Sequence, residues 1–289
     1  MRLSINMTNA AFRGPLARDL GDVARAADQG GLDTLWVGDH LIQAEPGLDL
    51  EEPAVEAYTT LGFLAATTSR LRLGTMVSAV TFRPPALLVK AVTTLDVLSG
   101  GRAWFGVGAG YHETEAAMMG LPLPPAAERF ALLDDTLRLA LRMWSGDQSA
   151  FDGARVHLDR PIGSPLPLTR PHPPILVGGM GEKKTLRLVA RYAQACNLPD
   201  IPDGGATIRH KLAVLAEHCA AESTDFAAIE KTVSTRLGAD ETPEQFAERA
   251  AALAGLGVGH LVVIVRGPWT PAAVDRLAAA GRLLAGVPA

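Results

Sequence analysis

The chain has 289 residues, 48% of them hydrophobic and 20% charged, with a formal net charge of −4. That composition supports a large buried core, and the absence of a basic tract argues against nucleic acid or an anionic membrane surface as partner. Cys196 and Cys219 are too few for a disulfide scaffold, no apolar run reaches the ~20 residues of a membrane span, and MRLSINMTNAAFRG has no leader pattern, so the expectation is a cytoplasmic protein.

Leu3 to Met7 predicts a first strand. Pro15 opens a helix whose apolar residues Leu16, Leu20, Val23, Ala24 and Ala27 recur at helical spacing until Gly30-Gly31 stops it. Leu35-Trp36-Val37 is a second strand that breaks at Gly38 and delivers Asp39 and His40. A loop with Pro46, Gly47 and Pro53 leads to a helix from Ala54 to Thr68, and Leu71 to Ala79 is the third strand. Pro84-Pro85 starts a helix that ends before Ser99-Gly100-Gly101, and Ala103 to Gly110 is the fourth strand with its turn.

The next section is irregular. A helix is expected from about Ala126 to Trp144, then a small hairpin or flap from Phe151 to Leu158, then a run with six prolines from Pro161 to Pro174. Ile175 to Gly179 is a fifth strand and Glu182 to Ala193 a helix. Ala195 to Leu198, Thr232 to Leu237 and His260 to Arg266 are three more strands. Helices from Gly205 to Ala221, Pro243 to Leu253 and Pro271 to Leu284 follow them. Eight strands alternating with helices predict a single-domain (β/α)8 TIM barrel over 1–289, with a doubly wound sheet as the competing arrangement. The stretch 111–174, Pro-rich from Leu121 on, reads as an insertion between strands 4 and 5 that serves as a lid or substrate wall.

In such a barrel the C-terminal strand ends share one mouth. Those ends are Asn6 to Asn9, Asp39-His40, Met76 to Ala79, Ala109 to Glu113, Gly178 to Gly181, Asn197, Arg236 and Arg266. His40 suits proton transfer near neutral pH, with Asp39 placed to orient it; the same pair also fits a capping acid and a hydrogen-bonded imidazole. Gly106, Gly108 and Gly110 mark either the approach of a flat ligand or tight packing. Gly178-Gly179-Met180-Gly181 lies between a strand and a helix, where free N–H groups favour an anion such as phosphate over a plain turn. Arg83 is read as a phosphate ligand or a solvated cation. No metal site is expected, because His112-Glu113 lacks the second histidine of H-E-x-x-H at Ala116, and no G-x-S-x-G motif is present.

The segments LWVGDH, LRLGTMVSAVTFRPPALLVKAVTTLDVLSGGR, FGVGAGYHETEAAMMGLPLP and ILVGGMGEKKTLRLVARYAQACNL resemble the luciferase-like monooxygenase superfamily. They look most like its oxidoreductases that use the deazaflavin coenzyme F420. The resemblance implies a flavin-type ring at the barrel mouth beside Asp39 and His40, with His40 and Asp39 as the catalytic pair. It implies a cis peptide at Met76–Val77 against the ring, and ring contacts from Met76, Val77, Ser78 and Ala79. Gly108, Ala109, Gly110, Tyr111 and His112 would follow at the strand-4 end, and Gly178, Gly179, Met180 and Gly181 would hold the phosphate. It also implies a homodimer and a small-molecule substrate. The glucose-6-phosphate-specific branch has Glu where this chain has Tyr111 and Trp where it has Ala44, so that substrate is not expected. The activity expected is hydride transfer at C5 of F420. The alternatives are an FMN-dependent monooxygenase using oxygen and a non-catalytic flavin-binding protein.

Overall fold

The computed structural model describes residues 1–286 apart from Asn9, Arg13, Glu45 and Pro46; Asn9 and Pro46, both named above, lie outside the described residues. The first half of the chain alternates β1 (Arg2–Met7), α1 (Leu16–Gln29), β2 (Thr34–Val37), α2 (Ala57–Thr67), β3 (Arg72–Thr75), β4 (Ser78–Ala79), α3 (Pro85–Ser99) and β5 (Phe105–Gly108). Two helices follow directly, α4 (Glu113–Met119) and α5 (Ala126–Ser145), then the short antiparallel pair β6 (Phe151–Asp152) and β7 (His157–Leu158). The alternation resumes with β8 (Ile175–Gly178), α6 (Thr185–Tyr192), β9 (Ala195–Pro199), α7 (Ala206–Glu222), β10 (Glu230–Arg236), α8 (Pro243–Ala254), β11 (His260–Ile264) and α9 (Pro271–Ala285).

The main sheet runs β3-β2-β1-β11-β10-β9-β8-β5-β4, and all of its pairs are parallel. β3 and β4 are two halves of one barrel strand, interrupted at Met76–Val77, whose peptide is cis. β3 pairs with β2 and β4 with β5. The Leu73–Ala103 bridge, with Trp104 N–H donating to the Leu73 carbonyl at 2.8 Å, closes the circle. Eight strand positions and a ring of helices make the (β/α)8 barrel, not the doubly wound sheet. The single strand expected from Leu71 to Ala79 is the one element that the structure divides.

Apolar residues fill both sides of the sheet, as parallel strands covered on both faces require. Inside the barrel, Trp36, Trp104, Leu176, Ala195 and Val262 pack together, with Met76 and Val77 against them. Below them the interior is polar: Trp36 Nε1–H donates to Ser4 Oγ at 3.1 Å, and His260 Nε2 lies 2.9 Å from the same oxygen. Outside, the helices bury Leu, Val and Ala residues against the strands. α2 starts three residues later than its pattern predicts. The Glu56 carboxylate accepts from the N–H groups of Tyr58 and Thr59 and so fixes the first turn at Ala57. α6 likewise starts at Thr185, after a turn, not at Glu182.

The stretch 111–174 does not act as one unit. β5 ends at the mouth, so 111–125, including α4, begins there. α5 then runs back along α3, and Trp144 Nε1–H donates to Thr93 Oγ1 at 2.9 Å. Leu168 and Thr169 donate their N–H groups to buried Asp96 at 2.7 and 3.0 Å, near the C-terminal end of α3. Phe105 N–H, at the start of β5, donates to the Pro174 carbonyl. Residues 168–174 therefore lie toward the end opposite the mouth, while the hairpin packs back along α5, where the Arg155 and Val156 N–H groups donate to Asp135 and Arg155 pairs with Glu128 in the first turn. No described helix is long and apolar enough to cross a membrane.

Candidate active site

β2 carries His40 to the mouth, where its ring borders a cavity of about 260 Å³. Met76 and Tyr111, from two other strand ends, line the same cavity, as do Arg236 and Ile264 at the ends of β10 and β11. The rings of Tyr111 and His112 stand edge-on to His40, at centroid distances of 6.2 and 5.8 Å.

The acid that contacts His40 is Glu115. His40 Nδ1 lies 2.6 Å from Glu115 Oε2, and the Leu41 N–H donates to Oε1 at 2.6 Å. The Glu115 side chain is fully buried, while that of His40 is 30% exposed. Burial alone would raise the Glu115 carboxyl, but the hydrogen bonds from His40 and the Leu41 N–H outweigh it and hold the group below its ordinary value. A carboxylate acceptor requires hydrogen on Nδ1, which leaves Nε2 as the ring nitrogen not bonded to Glu115. The short helix α4 places Glu115: His112 Nδ1 accepts the Glu115 N–H at 3.0 Å and caps the first turn.

Asp39 has a different partner from the one expected. Its carboxylate accepts two bonds from Arg83, at 2.6 and 2.9 Å, and one from Ser78 Oγ at 2.5 Å. Arg83 also donates to Glu56 at 2.5 Å, and the Tyr58 hydroxyl lies 3.2 Å from Ser78 Oγ. Burial works against the Arg83 guanidinium, yet Asp39 and Glu56 raise its pKa above the ordinary value. Burial first, and then the charge of Asp39, push the Tyr58 phenol up to about 12. The reading of Asp39 as the orienting acid for His40 is corrected, as is that of Arg83 as a phosphate ligand or a solvated cation. Both side chains are committed to a network that ties β2, β4 and α2 together.

The glycines are explained by packing. A Cβ on Gly178 would stand 2.7 Å from a Val77 methyl and one on Gly108 at 3.0 Å, while one on Gly106 would strike the Thr75 carbonyl oxygen at 1.8 Å. These three glycines make room for the interrupted third strand. Ala79 pairs with Gly108, Ala109 packs against the core, and Gly110 adopts φ +77°, with Ala79 and Thr81 close by. Gly179 adopts φ +108°, Met180 is exposed, and Gly181 lies against Thr185. α6 begins at Thr185 without a side-chain cap; the Leu186 N–H already donates to the Gly181 carbonyl at 3.0 Å, and the positive end of the helix dipole faces the 178–181 turn.

A flat redox ring with a polar edge and a phosphate-bearing tail fits these residues. The cavity is lined by both apolar and polar residues, the 178–181 turn suits the tail, and the buried Asn6 side-chain oxygen near the end of β1 has no hydrogen-bond partner among the described residues. Glu115, Tyr58 and Glu56 escaped the sequence reading. For Glu115 a signal exists: a capping side chain three residues before a glutamate, as in a capping box, though with His112 in place of Ser or Thr. Among the described residues no group of acidic, His or Cys side chains is arranged to hold a metal ion.

The luciferase-like monooxygenase family model matches residues 4–284. An F420-dependent glucose-6-phosphate dehydrogenase of Kineococcus radiotolerans is 32% identical over 240 residues, which cover 79% of this chain and 66% of that one. The same-named protein of Amycolatopsis mediterranei is 36% identical over 137 residues, 47% of this chain and 40% of the relative. The chain thus spans less than two thirds of either relative. Among solved structures, an F420-dependent secondary alcohol dehydrogenase in complex with an F420-acetone adduct superposes with a TM-score of 0.83 at 17% identity, covering 98% and 99% of the two chains. A monooxygenase from Streptomyces bottropensis superposes at 0.80 with 18% identity over 96% of each chain, so these likenesses speak for the fold. With nearly its whole length matched, the chain belongs to the luciferase-like monooxygenase family.

Proposed function

We propose that the protein is an F420-dependent oxidoreductase that transfers a hydride between the deazaflavin and a small organic molecule. The observation that carries the proposal is the buried Glu115 carboxylate on His40 Nδ1, at the rim of a cavity in a barrel of this family. The names of the two relatives point to the same cofactor. Bound F420 supplies the hydride-accepting ring carbon C5. The chain supplies the rest. Met76 and the interrupted third strand border the ring seat, and Asn6 offers an amide to a polar ring edge. The turn at Gly179 to Gly181 and the start of α6 receive the phosphate. Glu115 keeps hydrogen on His40 Nδ1, and His40 Nε2 takes or gives the proton that accompanies the hydride. The cavity wall holds the reacting carbon near the ring, where positioning can supply ~7–11 kcal/mol.

The test is turnover of F420 with a panel of alcohols and unsaturated carbonyls, using wild type and His40→Asn. Asn keeps a donor for Glu115 and removes Nε2. The expected result is unchanged F420 affinity with turnover lowered about 10²-fold. Equal turnover in the two proteins would overturn the role of His40.

A further inference from the structure

Glu182 directly follows the Gly179–Gly181 turn, and α7, which packs against α6, holds it. Its carboxylate accepts from Lys211 Nζ, and His210 Nε2 lies 2.9 Å from the same oxygen. His218 Nε2 lies 2.8 Å from the Glu182 carbonyl oxygen; a carbonyl can only accept, so that nitrogen carries hydrogen. Three side chains of one helix thus converge on one residue, two on its carboxylate and one on its backbone. A carboxylate beside an anion-receiving turn would repel the anion if its charge were left unmet. Lys211 first, and then His210, hold the Glu182 carboxyl below its ordinary value, so it stays ionised and bonded to α7. Lys211, whose side chain is 16% exposed, is the better-held partner; that of His210 is 60% exposed. Ion pairs this close to water add little to global stability, so their effect is sought locally.

We propose, on the reading of that turn as the cofactor's phosphate site, that Glu182, Lys211 and His218 are positioning residues. They fix the backbone of the turn in the shape that receives the phosphate, without touching it. The turn is then tied on two sides, by the Leu186 N–H on the Gly181 carbonyl and by α7 on Glu182. A loop ordered before its ligand arrives loses less freedom on binding, so α7 raises affinity for the phosphate-bearing tail and leaves that for the ring unchanged.

The experiment is fluorescence titration with F420 and with its phosphate-free deazariboflavin, on wild type, Glu182→Gln, Lys211→Met and the double variant. Positioning and plain electrostatics predict opposite signs for Glu182→Gln. Removing a negative charge beside an anion site would by itself tighten F420, whereas loosening the turn weakens it. Glu182→Gln is expected to weaken F420 about tenfold, while the phosphate-free compound binds within about twofold of wild type. Lys211→Met is expected to do the same, and the double variant to be no weaker than either single one, because the two side chains act through one contact. Equal or tighter F420 binding by Glu182→Gln, or an equal loss of both compounds, would overturn the inference. A further loss in the double variant would also overturn it, by making Lys211 a direct ligand of the phosphate. Failure of wild type to bind F420 would count against the cofactor reading instead. Amide hydrogen exchange of residues 179–184 then decides on the brace, since it must quicken in Lys211→Met, and unchanged exchange would overturn it.

Discussion

Glu115 and His40, 75 positions apart in the chain, meet at 2.6 Å where the second and fourth barrel strands end. The carboxylate is buried and held below its ordinary pKa, so its contribution to stability has a definite sign. It is fully present above the unfolded-state value of ~4.3 and is lost as pH falls through the lower folded value. Glu115→Gln removes that titration. Urea unfolding midpoints, measured stepwise into acid, are expected to fall less steeply for the variant than for wild type. Parallel curves would show that Glu115 does not carry this dependence.

Asp39 and His40 are neighbours in sequence with opposite jobs. Asp39 is buried and holds Arg83 through two hydrogen bonds. Breaking a buried pair from one side costs ~3–5 kcal/mol. Asp39→Ala is therefore expected to lower stability by about that amount, whereas His40→Asn, which retains a donor for Glu115, costs about 1 kcal/mol or less. Denaturant melts of the two variants decide. A His40→Asn protein less stable than Asp39→Ala would reverse the assignment of roles.

Val77 and Gly178 interlock. A methyl on Gly178 would stand 2.7 and 2.9 Å from the two Val77 methyls. Gly178→Ala is expected to cost ~1–3 kcal/mol through overpacking. Adding Val77→Ala removes those methyls and should recover most of that loss, giving a coupling of at least about 0.5 kcal/mol in a double-mutant cycle. Strictly additive costs would mean that the glycine serves something other than the space for Val77.

The chain has three tyrosines, and all three phenols are shifted upward. Burial is the leading cause in each, reinforced by Asp39 at Tyr58, by Glu115 at Tyr111 and by Asp134 at Tyr192. A raised folded value means stability that is whole below the unfolded pKa of ~10 and is lost as pH rises through the folded one. Spectroscopic titration of the native protein is expected to show Tyr58 ionising only at about 12, with Tyr111 and Tyr192 displaced upward from the ordinary midpoint. All three equivalents ionising together at ~10 would contradict the buried placement of Tyr58.

Much of the frame was legible because period and punctuation state it locally. Leu35-Trp36-Val37 reads as a buried strand from its own residues, and Gly100 ends α3 in the left-handed conformation that favours glycine. What was not legible depends on distance in the chain. Nothing near Arg83 announces that its partner lies 44 positions earlier. Nothing near Glu115 announces His40, and α4 has seven residues, too few for a periodic signal. The prolines of 161–174 forecast irregular structure but not its place, which follows from the direction in which α5 leaves the mouth. The interruption at Met76–Val77 came from family resemblance alone, since no local pattern marks it.

The most direct measurement is equilibrium binding of the purified protein to F420 and, separately, to FMN, followed by cofactor fluorescence. The account predicts saturable binding of F420, tighter than that of FMN and weakened by filling the Gly179–Gly181 turn. Preference for FMN would contradict it and would turn the same His40 site toward oxygen-using monooxygenase chemistry, while binding of neither would leave the barrel without the function proposed for it.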